Sequence, residues 1–192
     1  MAPSKRRKTP AVSDNASAGV QNRCSASARG DPPDAHDADL EAEDDGTRTF
    51  DDEGDVGVLR TWRAMCPELQ ARWPEDEQPD DWEGVTMENG RVVELELNWF
   101  GLNGAVPAEI GRLSALRQLW LVYNHLTSVP AEVGQLTALM ELYLGCNRLT
   151  GVPAEIGQLT SLTELSLFDN QLTSVPAEIG QLTSLTGLGL EC

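Results

Sequence analysis

A block of sequence recurs almost letter for letter through the second half of this chain, and it constrains the fold more than any other feature. Its period is marked by Leu116, Leu139, Leu162 and Leu185, which are each 23 residues apart. A period in the twenties predicts a solenoid, in which every repeat forms one coil. One coil buries too little apolar surface to offset the entropy of ordering its backbone, so the coils should fold as a stack.

Within one repeat, alternating leucines predict a short strand with one buried face, as in Leu142-Tyr-Leu144. Side-by-side coils then form a parallel sheet with one strand per coil. After the strand, a turn asparagine can satisfy backbone groups of the bend and of the neighbouring coil. The return segment, Val-Pro-Ala-Glu-Ile-Gly-Gln-Leu, predicts a short helix with proline and glutamate in its first turn and glycine as its stop. The positions are Asn124, Asn147 and Asn170; Pro130, Pro153 and Pro176; Glu132, Glu155 and Glu178; and Gly134, Gly157 and Gly180.

The composition of the 192 residues excludes several classes of protein. The formal net charge of −17 argues against nonspecific nucleic-acid binding. No long apolar run is present, which predicts neither a signal peptide nor a membrane span. The cysteines are far apart and have no metal-binding or disulfide spacing, as expected in a reducing compartment. These features predict an intracellular protein, in the cytoplasm or, by the alternative interpretation, the nucleus.

Residues 1–55 have the composition of a disordered tail with segregated charge. A basic cluster of nuclear-import type, Lys5, Arg6, Arg7 and Lys8, lies near the start. An acidic tract covers residues 31–55 and is typical of a solvated segment. It lacks the ligand spacing of a calcium loop.

Residues 56–91 are predicted to cap the first coil. Apolar residues at helical spacing run from Val58 to Trp73, with a break expected at Pro67. A turn is expected near Trp82, and the first strand is expected to begin at Gly90. We expect Trp62, Trp73 and Trp82 to seal the end of the solenoid by burial.

The repeat, LxxLxLxxNxLxxVPxxIGxL, resembles the leucine-rich repeat family over residues 62–192, and specifically its 23-residue class in intracellular Ras-group-related proteins. The cap and first coil are similar to the plant-type W-x-G-V-x-C…G-R-V-x-x-L-x-L signature. Thr86 stands where that signature has cysteine, so the disulfide of secreted relatives is not expected. The resemblance implies an α/β fold: a right-handed parallel β-solenoid, a horseshoe segment of about four and a half coils over residues 92–192.

The last coil stops at the end of a strand, and no capping segment follows in the sequence. Because a solenoid end should be polar or covered, we expect the chain to be a fragment of a longer array. The other interpretations are pairing with a second copy and fraying.

The strand positions that flank the leucines vary from coil to coil, and we call the surface that they form the concave face. Core positions must match because the coils stack, whereas free positions differ when a partner contacts them. Exposed aromatic side chains beside carboxylates suit a protein or peptide that carries Arg or Lys. The predicted partner-binding residues are Glu94, Glu96, Trp99, Gln118, Trp120, Val122, Tyr123, Glu141, Tyr143, Glu164, Ser166, Phe168 and Asp169.

No nucleophile, base and orienting group, phosphate loop or metal spacing is evident, so the sequence predicts no enzyme, cofactor or metal site. The predicted function is protein–protein recognition, as an adaptor or scaffold in intracellular signalling, with small-GTPase signalling as one context implied by the resemblance. The alternatives are a non-catalytic structural fragment of a longer leucine-rich repeat receptor or multidomain protein, and a nuclear adaptor.

Overall fold

The computed structural model describes residues 54–191, and the predicted tail lies almost entirely outside them. Two helices precede the strands, α1 (Asp55–Met65) and α2 (Pro67–Arg72), so the predicted break at Pro67 is confirmed. A six-stranded sheet follows in the order β1-β2-β4-β6-β7-β8, in which only β1 runs antiparallel to its neighbour. The bounds are β1 Val85–Glu88, β2 Arg91–Glu96, β4 Gln118–Trp120, β6 Glu141–Tyr143, β7 Glu164–Ser166 and β8 Gly187–Gly189.

The predicted parallel solenoid is confirmed by the register of these strands. Each strand lies one repeat from the next, as in Leu119 beside Leu142 and Leu142 beside Leu165. A second, two-stranded parallel sheet joins β3 (Asn103–Ala105) to β5 (His125–Ser128), and the sequence did not predict it. The buried leucines of successive coils form one continuous core.

The return segments are single 3₁₀ turns rather than α-helices, and each follows a proline at its N-cap. Their bounds are Ala108–Arg112, Ala131–Gln135, Ala154–Gln158 and Ala177–Gln181. The glycines lie inside these turns and do not end them. A Cβ on Gly134 would lie 2.6 Å from the carbonyl oxygen of Glu155 in the next coil. Glycine is therefore needed for the close approach of neighbouring coils.

The turn asparagines have the predicted role. Asn147 accepts a hydrogen bond from the backbone N–H of Leu126 in the preceding coil, at 3.0 Å, through its Oδ1. Its Nδ2 donates to the carbonyls of Leu121, at 2.8 Å, and Leu144, at 3.0 Å. Asn124 and Asn170 make the equivalent bonds. Each amide thus connects two coils.

The cap differs from the prediction in one element. The segment expected to be a turn ends in strand β1, which pairs with β2 through a hairpin at Asn89 and Gly90. Both residues have positive φ, 52° and 75°, as a two-residue hairpin turn requires. The Asn-Gly pair was the sequence signal for this hairpin.

Tryptophan burial in the cap is confirmed. Trp62, Trp73 and Trp82 are all buried, and the rings of Trp73 and Trp82 stack with centroids 5.0 Å apart. Asp55, predicted to belong to the solvated acidic tract, is instead buried at the start of α1. It accepts hydrogen bonds from the Arg91 guanidinium, at 3.0 Å, and the Val92 N–H, at 2.8 Å, which compensate its carboxylate for lost water.

At the far end, the leucine of β8 is less buried than its counterparts in the other strands. Leu142 and Leu165 are almost completely buried, whereas Leu188 is 45% exposed. The difference arises because, within residues 54–191, no further coil packs against β8.

Gly134→Ala should lower the free energy of unfolding by about 1–3 kcal/mol, because the new methyl group overlaps the backbone of Glu155. The matched control is Gly180→Ala at the same position of the last described coil, where a Cβ meets nothing within 4 Å. Urea unfolding of both variants checks this expectation. Equal midpoints for the two variants would contradict close coil packing as the reason for glycine.

Candidate partner-binding face

The structure brings the predicted partner-binding residues into neighbouring columns across the sheet. Register places Glu94, Gln118, Glu141 and Glu164 side by side, and it places Glu96, Trp120, Tyr143 and Ser166 in the next column. All of these side chains are at least partly accessible to solvent. The concave face predicted from the sequence is therefore a continuous surface, although its role in binding stays a prediction.

Glu141 lies at the centre of this surface and has two donors on the preceding coil. The indole Nε1 of Trp120 donates to Glu141 Oε2 at 3.2 Å, and Gln118 Nε2 donates to Oε1 at 3.4 Å. The ring of Tyr143 is tilted by 49° against that of Trp120, with centroids 5.6 Å apart. The Glu141 carboxylate is thus oriented by an indole and an amide of the preceding coil.

Glu164 is the neighbour of Glu141 on the next strand, and its side chain leans the other way. It lies over Gly187, where a Cβ would overlap its carboxylate, and it accepts a hydrogen bond from Thr186 Oγ1 at 3.2 Å. The two neighbouring carboxylates therefore find donors on opposite sides. Burial raises the pKa of the Tyr143 phenol, and the charges of Glu141 and Glu164 raise it further. The phenol is a probe of the negative potential at this point.

The charged side chains of the concave face all have the same sign. Carboxylates occupy six positions, and neither lysine nor arginine occurs at any strand position that flanks the leucines from β2 to β8. This distribution favours a cationic ligand, since an anionic one would be repelled. The six residues are Glu94, Glu96, Glu141, Glu164, Asp169 and Glu191.

A further column lies where the chain leaves each strand, and its backbone is left-handed. The residues are Trp99, Tyr123, Cys146 and Asp169, with φ of 63°, 59°, 53° and 51°. Left-handed backbone at a residue with a bulky side chain costs about 1–3 kcal/mol, and glycine or asparagine would relieve it. Trp99 and Tyr123 are stacked, with centroids 3.8 Å apart and planes at 12°, and they are 64% and 43% exposed. We call this pair the aromatic ledge.

Beside the aromatic ledge is a shallow depression of about 270 Å³ that the sequence did not reveal. His125 and Arg148 contribute to it, together with the side chains of the left-handed column. A hydrogen bond to Cys146 raises the pKa of the Tyr123 phenol, and burial raises the pKa of the Cys146 thiol. Three residues of the column, Tyr123, Cys146 and Asp169, lie directly before a turn asparagine in the sequence, whereas Trp99 lies before Phe100.

Three predicted site residues serve packing as well as the surface. Phe168 lies over Gly145, where any Cβ would overlap its ring. The backbone N–H of Val122 donates to Asn98 Oδ1 at 2.8 Å, and the backbone carbonyl of Ser166 accepts from Leu144 N at 2.8 Å. Their side chains remain half-buried on the concave face.

Among residues 54–191, no three His, Cys, Asp or Glu side chains are grouped closely enough to hold a metal ion. In the same range, every helix is too short or too polar to cross a membrane.

Comparison with known proteins points to one repeat family. A family model described as a leucine-rich repeat region matches residues 93–192, which is more than half of the chain. The LRR receptor-like serine/threonine-protein kinase FEI 2 of Arabidopsis thaliana is 42% identical over 72 residues. Those residues are 36% of this chain and 10% of the kinase, so the chain spans about a tenth of that relative's length.

Solved structures give the same picture. The BIR2 ectodomain from Arabidopsis thaliana has a TM-score of 0.63 and 27% identity, covering 72% of this chain and 79% of its own. A second similar structure is the LRR ectodomain of the plant membrane receptor kinase GASSHO1/SCHENGEN3 from Arabidopsis thaliana, in complex with CASPARIAN STRIP INTEGRITY FACTOR 2. Its TM-score is 0.62 and its identity 29%, over 70% of this chain and 18% of that one.

These relatives correct the prediction of location. An intracellular protein, whether cytoplasmic or nuclear, was expected, but the similar proteins are receptor kinases and their ectodomains, which lie outside the cell. The intracellular adaptor role loses its support with that location. The import candidate Lys5–Lys8 lies outside the described residues, and the Ras-group class and small-GTPase context stay predictions.

The potential at the centre of the concave face can be measured through the phenol of Tyr143. Tyr123 and Tyr143 are the two tyrosines of the chain, so Tyr123→Phe leaves one phenol to titrate by ultraviolet absorbance. Its pKa should lie above the ordinary value and should fall, though not to that value, when Glu141→Gln and Glu164→Gln are added. Neutral side chains no longer disfavour the phenolate, whereas burial still does.

The control for this titration carries Glu132→Gln and Glu155→Gln, which remove the same charge from the 3₁₀ side of the coils. It should leave the pKa of Tyr143 unchanged. Equal titration curves for the two double variants would show that no local potential is present.

Proposed function

We propose, from the premise that this chain belongs to the leucine-rich repeat family, that its concave face recognises a protein or peptide segment carrying a basic side chain. The module acts by binding and has no catalytic chemistry of its own. The observation that carries the proposal is the charge of the concave face: six carboxylates and several partly exposed aromatic rings occupy it, and neither lysine nor arginine occurs at the strand positions that flank the leucines from β2 to β8.

The anchor for the basic side chain is the cluster of Trp120, Glu141, Tyr143 and Glu164. An arginine guanidinium can lie against an aromatic ring while it donates hydrogen bonds to a carboxylate. Glu141 and Glu164 lie on adjacent strands, whose backbones are about 4.8 Å apart, and their carboxylates face opposite sides of that pair. Trp120 supplies an indole beside them, and its bond to Glu141 orients that carboxylate before the ligand arrives.

The comparisons favour the receptor-derived interpretation over a free-standing adaptor. The GASSHO1/SCHENGEN3 ectodomain is in complex with another protein factor, which supports a protein or peptide as the class of ligand for this chain. We therefore propose that residues 54–191 serve as a recognition segment of the ectodomain type. The competing interpretation is a segment that only extends a solenoid, and it predicts no selective binding.

Selection from a random peptide library tests this proposal with the whole chain as bait. Bound peptides should be enriched in arginine or lysine, because only cations gain from the potential of the concave face. For a selected peptide, Glu141→Gln with Glu164→Gln should weaken the affinity roughly tenfold or more, measured by fluorescence anisotropy. Added salt should weaken binding of the unaltered chain.

The control variant, Glu132→Gln with Glu155→Gln, has the same net charge and should bind like the unaltered chain. If the selected peptides show no excess of basic residues, or if both double variants bind equally, the proposed function is wrong.

A further inference from the structure

The aromatic ledge, Trp99 and Tyr123, is not required by the solenoid. Both residues have a left-handed backbone, as do their equivalents Cys146 and Asp169 in the next two coils. Asparagine or glycine suits that conformation better than a residue with a large ring. The two rings are stacked on each other and exposed, so they contribute little to the core. Trp99 and Tyr123 therefore strain the backbone without stabilising the core. Strain of this kind is typical of residues that contact a ligand.

The charges near the aromatic ledge differ from those around Glu141. The Arg72 guanidinium donates to the Trp99 carbonyl at 3.4 Å and lies 4.3 Å from the centre of the Phe100 ring. The neighbouring depression is lined by Arg148 and His125, with Asp169 as its one carboxylate. A second cationic side chain of the ligand would gain little attraction here, because Arg72 and Arg148 are already near. A neutral aromatic ring, by contrast, can stack on the exposed indole and phenol.

We propose that the aromatic ledge is a second contact for the same ligand, and that it takes an aromatic side chain of the bound peptide. This inference rests on the proposed function, since it deepens the description of that ligand. The ledge belongs to the first and second coils, and the carboxylate anchor belongs to the third and fourth. One extended peptide that crosses the sheet diagonally contacts both.

The geometry predicts the spacing of the two ligand residues. Across the sheet, the centre of the ledge lies two strand spacings from the centre of the anchor, a distance of about 10 Å. Along the strand, the ledge lies about three to five residues beyond the anchor, which adds about 10–16 Å. The diagonal is therefore about 14–19 Å, and an extended peptide covers it in about four to six residues at 3.3 Å each. The ligand carries a basic residue and an aromatic residue at that separation.

A peptide series tests the spacing, with one fixed arginine and one phenylalanine moved along a polar chain. Affinity for the whole protein, measured by fluorescence anisotropy, should rise roughly tenfold when the separation is about five residues, and it should rise on one side of the arginine only. The peptide without phenylalanine gives the reference affinity for the anchor alone. A response independent of the position of phenylalanine would overturn the inference.

Trp99→Asn with Tyr123→Asn identifies the site of the gain. Asparagine accepts the left-handed backbone, so the urea midpoint should stay the same or rise while the phenylalanine-dependent gain disappears. Binding of the arginine-only peptide should persist in this variant. The variant Glu141→Gln with Glu164→Gln should show the converse, with a weakened anchor and an intact dependence on phenylalanine.

The two proposals fail in different ways. If no arginine peptide binds, the proposed function fails. If arginine peptides bind but the asparagine variant keeps the full gain, the ledge is not the second contact. A marked loss of stability in the asparagine variant would show that the rings are structural and would likewise overturn the inference.

Discussion

The structure depends above all on the side-chain amides, buried at Asn124 and Asn147 and half-buried at Asn170, that connect one coil to the next. Asn147 satisfies a backbone N–H of the preceding coil and carbonyls of both coils, and its counterparts Asn124 and Asn170 do the same. A buried backbone group left without a partner costs about 1–3 kcal/mol, so a shift in the register of the coils would lower the stability at every coil. Because the amides fix the register, side chains at equivalent positions must form columns. The concave face is a consequence of this constraint.

Much of this arrangement could be predicted from the sequence because periodicity and residue chemistry act together. Leucines at a fixed spacing indicate a stack, and asparagine at the strand exit indicates an amide that bonds across coils. The glycine of the return segment misled the interpretation, since local rules assign it to a helix end, whereas the requirement comes from Glu155 in the next coil. Contacts across coils of this kind are not visible in one repeat read alone. The left-handed column was missed for the same reason, because Trp99 and Tyr123 carry no local signal for positive φ.

The cap shows why the compartment could not be inferred from a missing cysteine. The signature has cysteine where this chain has Thr86, and the missing disulfide counted against an extracellular receptor. In the structure the cap is held by the stacked rings of Trp73 and Trp82 and by the bonds of buried Asp55 to Arg91 and Val92. Burial of aromatic rings and a satisfied charge can stabilise a cap in any compartment. Thr86 in place of that cysteine therefore bears on how the cap is stabilised and not on where the protein resides.

The first coil departs from the asparagine pattern, and the same physics explains both the departure and its link to the binding face. Asn124 bonds to Leu97 and Leu102 of the coil before it, but the first coil has the helical cap before it and no such partners. An asparagine there would be buried without them, and the chain has Phe100 instead, which is buried under the Arg72 guanidinium. Arg72 also donates to the carbonyl of Trp99, the first residue of the aromatic ledge. Phe100, which stands in place of the turn asparagine, thus contacts the cap through Arg72, and the same arginine bonds to Trp99 on the concave face. The position of Trp99 therefore depends on how α2 packs on the first coil.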